Sequence, residues 1–111
     1  MGEALFTTVE ALEASRREAG RRYLEFLRVP DLSAGLYRLE AGTTDPQQPH
    51  AEDEVYVVTR GRCRFRAGAD EREVGPGSVL FVPARMEHRF VDIREPLEVL
   101  VVFGPAEGSR S

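Results

Sequence analysis

From residue 32 to residue 103 the chain is a succession of short apolar runs, each closed by turn residues. The runs cover residues 32–40, 54–59, 62–67, 78–82, 88–93 and 97–103, with Ala41-Gly42, Arg60-Gly61, Gly68-Ala69-Asp70, Gly75-Pro76-Gly77 and Arg94-Glu95-Pro96 between them. Runs of this length punctuated by glycine and proline read as strands, and their spacing leaves no room for intervening helices. The expected fold is therefore all-β, an antiparallel sandwich or barrel rather than a parallel α/β sheet.

Alternation within the runs assigns faces. Arg62, Arg64 and Arg66 alternate with Cys63 and Phe65, which gives one wet and one buried face and makes Cys63 a small core residue rather than a nucleophile. Residues 55–58 and 99–103 are apolar on both faces and should be covered on both sides. A second copy of the chain is the expected cover; the N-terminal segment is the alternative.

That segment carries the one helical pattern. Thr7 followed three residues later by Glu10 has capping-box spacing, Val9, Leu12 and several alanines form a thin stripe, and Gly20 is a stop, which predicts a helix over residues 7–19. Residues 21–29 read as a connecting or edge strand. The domain plan is then a helix and edge segment at 1–31, a barrel at 32–104 and a polar tail at 105–111 expected to fray.

At 111 residues there is one core. A net charge of −4 gives no electrostatic support for nucleic-acid binding, and no apolar run approaches the length of a membrane span. All fifteen basic residues are arginine, so no lysine is present to form a Schiff base. The single cysteine has no internal disulfide partner, and no signal peptide is visible, so a cytoplasmic protein is expected.

The chemistry-bearing residues are few. His50 and His88 are the only histidines, and each lies in a turn-bounded strand pattern, the first of which also holds Glu54. Two imidazoles and a carboxylate are the donors of a divalent metal site with open coordination positions. On a straight strand His50 and Glu54 would lie ~13 Å apart, so the chain must bend between them, as Pro49 and the polar Ala51-Glu52-Asp53 permit. The period of two puts Tyr56 and Val58 on the face of Glu54, and Phe90 and Asp92 on the face of His88. Tyr56 and Phe90 are expected as cavity walls, and Asp92 as a polar support of the site. Glu52, Asp53 and Glu87 read as solvated turn residues.

The run from Gly42 through His50, Glu54 and Gly61, followed by Gly77, Pro83, His88 and Asp92, resembles the two signature motifs of the cupin superfamily. The likeness spans roughly residues 32–103 and implies a jelly-roll barrel, or double-stranded β-helix, enclosing a metal held by three histidines and a glutamate. Two positions depart from the pattern: Gln48 occupies the first histidine slot, and Arg85 replaces the glycine usual two residues after the proline. The expected ligand set is His50, Glu54 and His88, with Gln48 either lending its amide oxygen or bonding a ligand of the metal. Iron, manganese, zinc, nickel and copper all suit such donors.

Three functions fit. One is a metal-dependent enzyme acting on a small organic molecule, of dioxygenase, isomerase, decarboxylase or lyase type. The others are a non-catalytic small-ligand-binding module and a dimerising domain with an empty pocket. A homodimer is expected in each case, without nucleic acid or membrane as partner.

Overall fold

The computed structural model describes residues 2–110. Helix α1 spans Val9–Ala19 and is followed by strands β1 (Tyr23–Val29), β2 (Leu32–Leu39), β3 (Asp53–Arg60), β4 (Cys63–Ala67), β5 (Asp70–Val74), β6 (Val79–Val82), β7 (His88–Val91) and β8 (Leu97–Gly104). They form two antiparallel sheets, ordered β1-β2-β8-β3-β6 and β5-β4-β7. The outcome is the jelly-roll barrel with an N-terminal helix anticipated above.

Two local details differ from the sequence reading. Helix α1 is capped by Thr8, not Thr7: its hydroxyl accepts from the Ala11 N–H at 3.0 Å, which leaves Glu10 outside any capping box. Strand β5 falls almost wholly between two predicted turns, in residues to which the sequence reading gave no element. Its residues Asp70-Glu71-Arg72-Glu73 are exposed, because β5 pairs with β4 alone at the sheet edge, and an edge strand wet on both faces has no alternation to detect.

The core lies between the sheets. Tyr37, Leu39, Tyr56, Val58, Cys63, Phe65, Val82, Phe90, Leu97, Val99, Val101 and Phe103 meet there, and burial raises the Cys63 thiol to about 11, consistent with a packing role. Gly61, at φ +90, turns β3 into β4. A side chain at that position would run into the backbone of Pro96 and Leu97, so both its conformation and its surroundings demand glycine.

Strand β3 alternates as expected, with Glu54, Tyr56 and Val58 buried inside and Val55 and Val57 half-buried outside. Helix α1 does not cover that outer apolar surface, because it packs on β1 and β2. It is held there by Glu13, which bonds Arg16 at 3.2 Å and Arg17 at 3.0 Å and lies 3.9 Å from Arg38 of β2.

The C-terminal segment is bound rather than frayed. The Ala106 N–H donates to the Pro30 carbonyl, the Glu107 N–H to Ser33 Oγ, and the Gly108 and Arg110 N–H groups to the two oxygens of Glu52 at 3.1 and 3.0 Å. Glu52, read as a solvated turn residue, is buried and clamps this strap.

Candidate metal centre and cavity

Strand β3 points Glu54 into the barrel, and β7 presents His88 on the facing sheet. The bend between residues 50 and 53 folds His50 back over them. The three residues can each offer a donor atom such that all lie within 4.8 Å of one another. The imidazole rings are 5.8 Å apart, and the His50 ring packs edge-on against Phe103 at 4.8 Å. The two motif loops are stitched together: the Arg85 N–H donates to the His50 carbonyl at 2.6 Å, and the Ala84 N–H to Asp53 Oδ1 at 2.8 Å. Arg85 has φ +68, the left-handed region, which accounts for the glycine found at this slot in the resembling motif.

These donors suit a cation. Glu54 is 2% exposed, yet neither of its oxygens has a hydrogen-bond partner, and His50 Nε2 is likewise buried and unpartnered. His88 Nε2 lies 3.1 Å from Glu54 Oε1, an ion-pair distance without hydrogen-bond geometry. The other ring nitrogen of His88 is 2.9 Å from the Met86 carbonyl; an N–H there fixes the tautomer that turns the Nε2 lone pair toward Glu54. Burial pulls the His88 pKa down, but Glu54 and the Met86 carbonyl outweigh it, and the ring is held above its ordinary value. Apart from the His88 ring, no ion-pair partner or hydrogen-bond donor among the described residues meets these buried oxygens, and an ion held by Glu54 and both imidazoles would satisfy them.

Gln48 is not part of this cluster: its side chain is exposed. Gln47 lines the cavity instead, one residue earlier, because the segment before His50 is loop and has no strand alternation to fix which glutamine faces inward. Gln47 Nε2 donates to Asp45 Oδ2 at 2.8 Å, and Gln47 Oε1 accepts from the Tyr56 hydroxyl at 2.7 Å. Tyr56 is fully buried with its oxygen 3.1 Å from His88 Nε2, so it borders the cluster. Burial first, and Glu54 second, raise its pKa far above the ordinary phenol range, which keeps the hydroxyl protonated.

Phe90 belongs to the core, its ring 5.0 Å from Tyr56 and 4.8 Å from Phe65, and does not line the cavity. Asp92 is also misplaced by the sequence reading. Strand β7 ends at Val91, Asp92 turns to φ +50, and its exposed carboxylate lies 3.9 Å from Arg94 on the surface.

The acid that supports the site is Asp45, fully buried. It accepts from the Tyr37 hydroxyl at 2.9 Å, the Phe90 N–H at 2.9 Å, and the Gln47 N–H and amide at 3.2 and 2.8 Å. The Asp45-Pro46 pair is its one local signal, and such a pair says nothing of where the carboxylate points. The cavity of about 170 Å³ is lined by Tyr23, Tyr37, Gln47, His50, Glu54, Val101, Phe103 and Glu107. Glu107 has no sequence signal at all; the strap brings it to 3.9 Å from His50 Nδ1.

The structure is thus a jelly roll in which two imidazoles and a carboxylate are grouped beside a small, largely apolar cavity. The chain belongs to the cupin family: the cupin domain model matches residues 35–103. It is 50% identical over 99 residues to an uncharacterized protein of Streptomyces coelicolor, covering 89% of this chain and 94% of that one. Among solved structures it is similar to TT1209 from Thermus thermophilus, at 24% identity and TM-score 0.70 over 91% of this chain and 97% of that one. It is also similar to the DMSP lyase DddQ from Ruegeria pomeroyi, at 23% identity and TM-score 0.66 over 78% of this chain and 49% of that one. At these identities the structures establish the fold alone. No helix among the described residues is long and apolar enough to cross a membrane.

Proposed function

We propose that this cupin is a metal-dependent enzyme acting on a small organic molecule by lyase, isomerase or dioxygenase chemistry. The observation that carries the reading is Glu54, a buried carboxylate with two unpartnered oxygens beside two imidazoles. His50, Glu54 and His88 would hold the ion, and these donors admit iron, manganese, zinc, nickel or copper. When bound, the ion supplies Lewis acidity or redox capacity at the inner end of the cavity.

The chain's own residues set the surroundings. The Met86 carbonyl orients His88, Asp45 holds Gln47, and Gln47 holds the Tyr56 hydroxyl against His88. Val101, Phe103 and Tyr37 give the ligand an apolar wall that limits competing water. Protein purified without a nickel column should carry near-stoichiometric metal. A His50→Ala, His88→Ala double variant should stay folded and lose it. Metal-free, folded wild type would overturn the reading, and a loaded protein that binds small ligands without converting them would make it a binding module.

We infer a homodimer as well. Val79 and Phe81 on edge strand β6 are 68% and 63% exposed, beside the half-buried outer residues Val55 and Val57. A second copy packed on this outer sheet face across a twofold axis would bury these four side chains together.

A further inference from the structure

Besides His50 and Glu54, the cavity is lined by a second carboxylate and an uncommitted phenol. Glu107 stands at the rim, its side chain 35% exposed, and faces His50. Tyr23 Oη is buried with no partner. Its ring sits directly over Gly35, where any side chain would overlap it, and lies edge-on to Tyr37 at 6.2 Å. The Tyr23 hydroxyl is thus fixed by packing and free to bond whatever enters.

The rim is held in place from outside. Glu52 grips the backbone on the far side of Glu107, Ser33 Oγ accepts the Glu107 N–H, and Arg28 donates to the Glu107 carbonyl at 2.8 Å. That arginine is also paired with Glu25 at 2.9 Å, so its charge is committed elsewhere. Although all fifteen basic residues of the chain are arginine, no arginine lines the cavity among the described residues. Glu54 and Glu107 are the cavity's two carboxylates, so a second anion brought to the rim would meet Glu107 with no arginine lining the cavity to offset it.

Resting on the metal-centre reading above, we propose that Glu107 is a specificity-determining residue that selects ligands with a cationic group at the rim of the cavity, away from Glu54 and His88. A divalent ion cancels the charges of Glu54 and Glu107 taken together, so a zwitterion with an oxygen anion inward and an ammonium outward leaves the cavity neutral. The ammonium meets the Glu107 carboxylate, with Tyr23 and Tyr37 lining the same cavity. The cavity of about 170 Å³ restricts such a ligand to a handful of heavy atoms. Phosphorylated and dicarboxylic compounds are disfavoured by the same charges.

The test uses zinc-loaded full-length protein and three acids that differ only in their far end: butyrate with a methyl, β-alanine with an ammonium and succinate with a carboxylate. Isothermal titration should rank β-alanine about tenfold tighter than butyrate, with succinate weakest, the difference expected of one charge-assisted contact. Glu107→Gln keeps the shape and removes the charge. With both proteins fully zinc-loaded, it should bring β-alanine within about twofold of butyrate. Equal binding of β-alanine and butyrate by wild type, binding of none of the three, or a preference that survives Glu107→Gln overturns the assignment. Zinc uptake is measured first and separately: protein that takes up no zinc overturns the metal centre, and this assignment with it.

Discussion

Replacing Asp45 with alanine should be among the most damaging single changes available to this protein. The carboxylate is fully buried and serves four donors: the Tyr37 hydroxyl, the Phe90 N–H and two N–H groups of Gln47. An individual hydrogen bond to a charged acceptor contributes about 1.5–3 kcal/mol, but four bonds to one group do not add. The cost of breaking a buried charged network, about 3–5 kcal/mol, is the better measure, because Tyr37 and Phe90 are left with donors facing a void. A chain of 111 residues has a total stability of about 6–17 kcal/mol, so Asp45→Ala consumes a large share of it. At ~4 °C per kcal/mol the midpoint should fall by about 12–20 °C. Urea unfolding should show a lower midpoint at unchanged slope, and Asp45→Asn, which keeps one acceptor oxygen, should lie between. Asp92→Ala is the control: that carboxylate is exposed, and its loss should stay within about 0.5 kcal/mol. If Asp45→Ala costs less than about 1 kcal/mol, the carboxylate is not the anchor of the site loop and the reasoning fails.

Gln48→Ala should leave metal affinity unchanged, whereas Gln47→Ala, which frees the Tyr56 hydroxyl beside His88, should weaken it by about tenfold in a competitive chelator titration. Glu13 is pulled down to about 2 from an ordinary 4.5 by Arg16, with burial opposing and Arg17 assisting. A depressed carboxyl stabilises the fold above its unfolded pKa and loses that contribution as pH falls through the folded one. Wild type should therefore exceed Glu13→Gln by about 1–2 kcal/mol at pH 6, a value discounted for solvent near the helix, and the gap should close by about pH 2 in urea melts. Phe81→Glu should halve the sedimenting mass without changing circular dichroism, since Phe81 is 63% exposed and contributes little to its own fold; a monomeric wild type would refute the dimer.

What was legible in the sequence divides along a physical line. Glu54, Tyr56 and Val58 could be placed because a strand repeats every two residues, and the structure finds all three buried. His50 and His88 could be paired because the motif slots carry the same spacing information. The rule failed where the strand stopped. Asp92 was assigned to the face of His88 by counting in twos, but β7 ends one residue earlier and the left-handed turn at Asp92 throws its side chain outward. Gln47 and Gln48 could not be told apart by any periodicity, since they lie in a loop. Asp45, Glu52 and Glu107 were out of reach for another reason: their roles depend on partners 45, 56 and 74 residues away, which no local pattern reports.

The same division has a functional side. The inner donors Glu54 and His88 are fixed by ladder pairing: Glu54 lies opposite Val82 and Phe103, and His88 opposite Ala67. The outer groups, Gln47 and Glu107, are carried by irregular segments, and each segment is pinned chiefly by one buried acid, Asp45 for the loop and Glu52 for the strap. A substitution in the ladder must disturb several backbone bonds to move a ligand, whereas the strap that carries Glu107 is held mainly by side chains, those of Glu52, Ser33 and Arg28. Changes in the strap can therefore alter what the cavity accepts while Glu54 and His88 keep their places in the ladder, whereas changes in the loop reach the proposed metal donors through Gln47 and Tyr56.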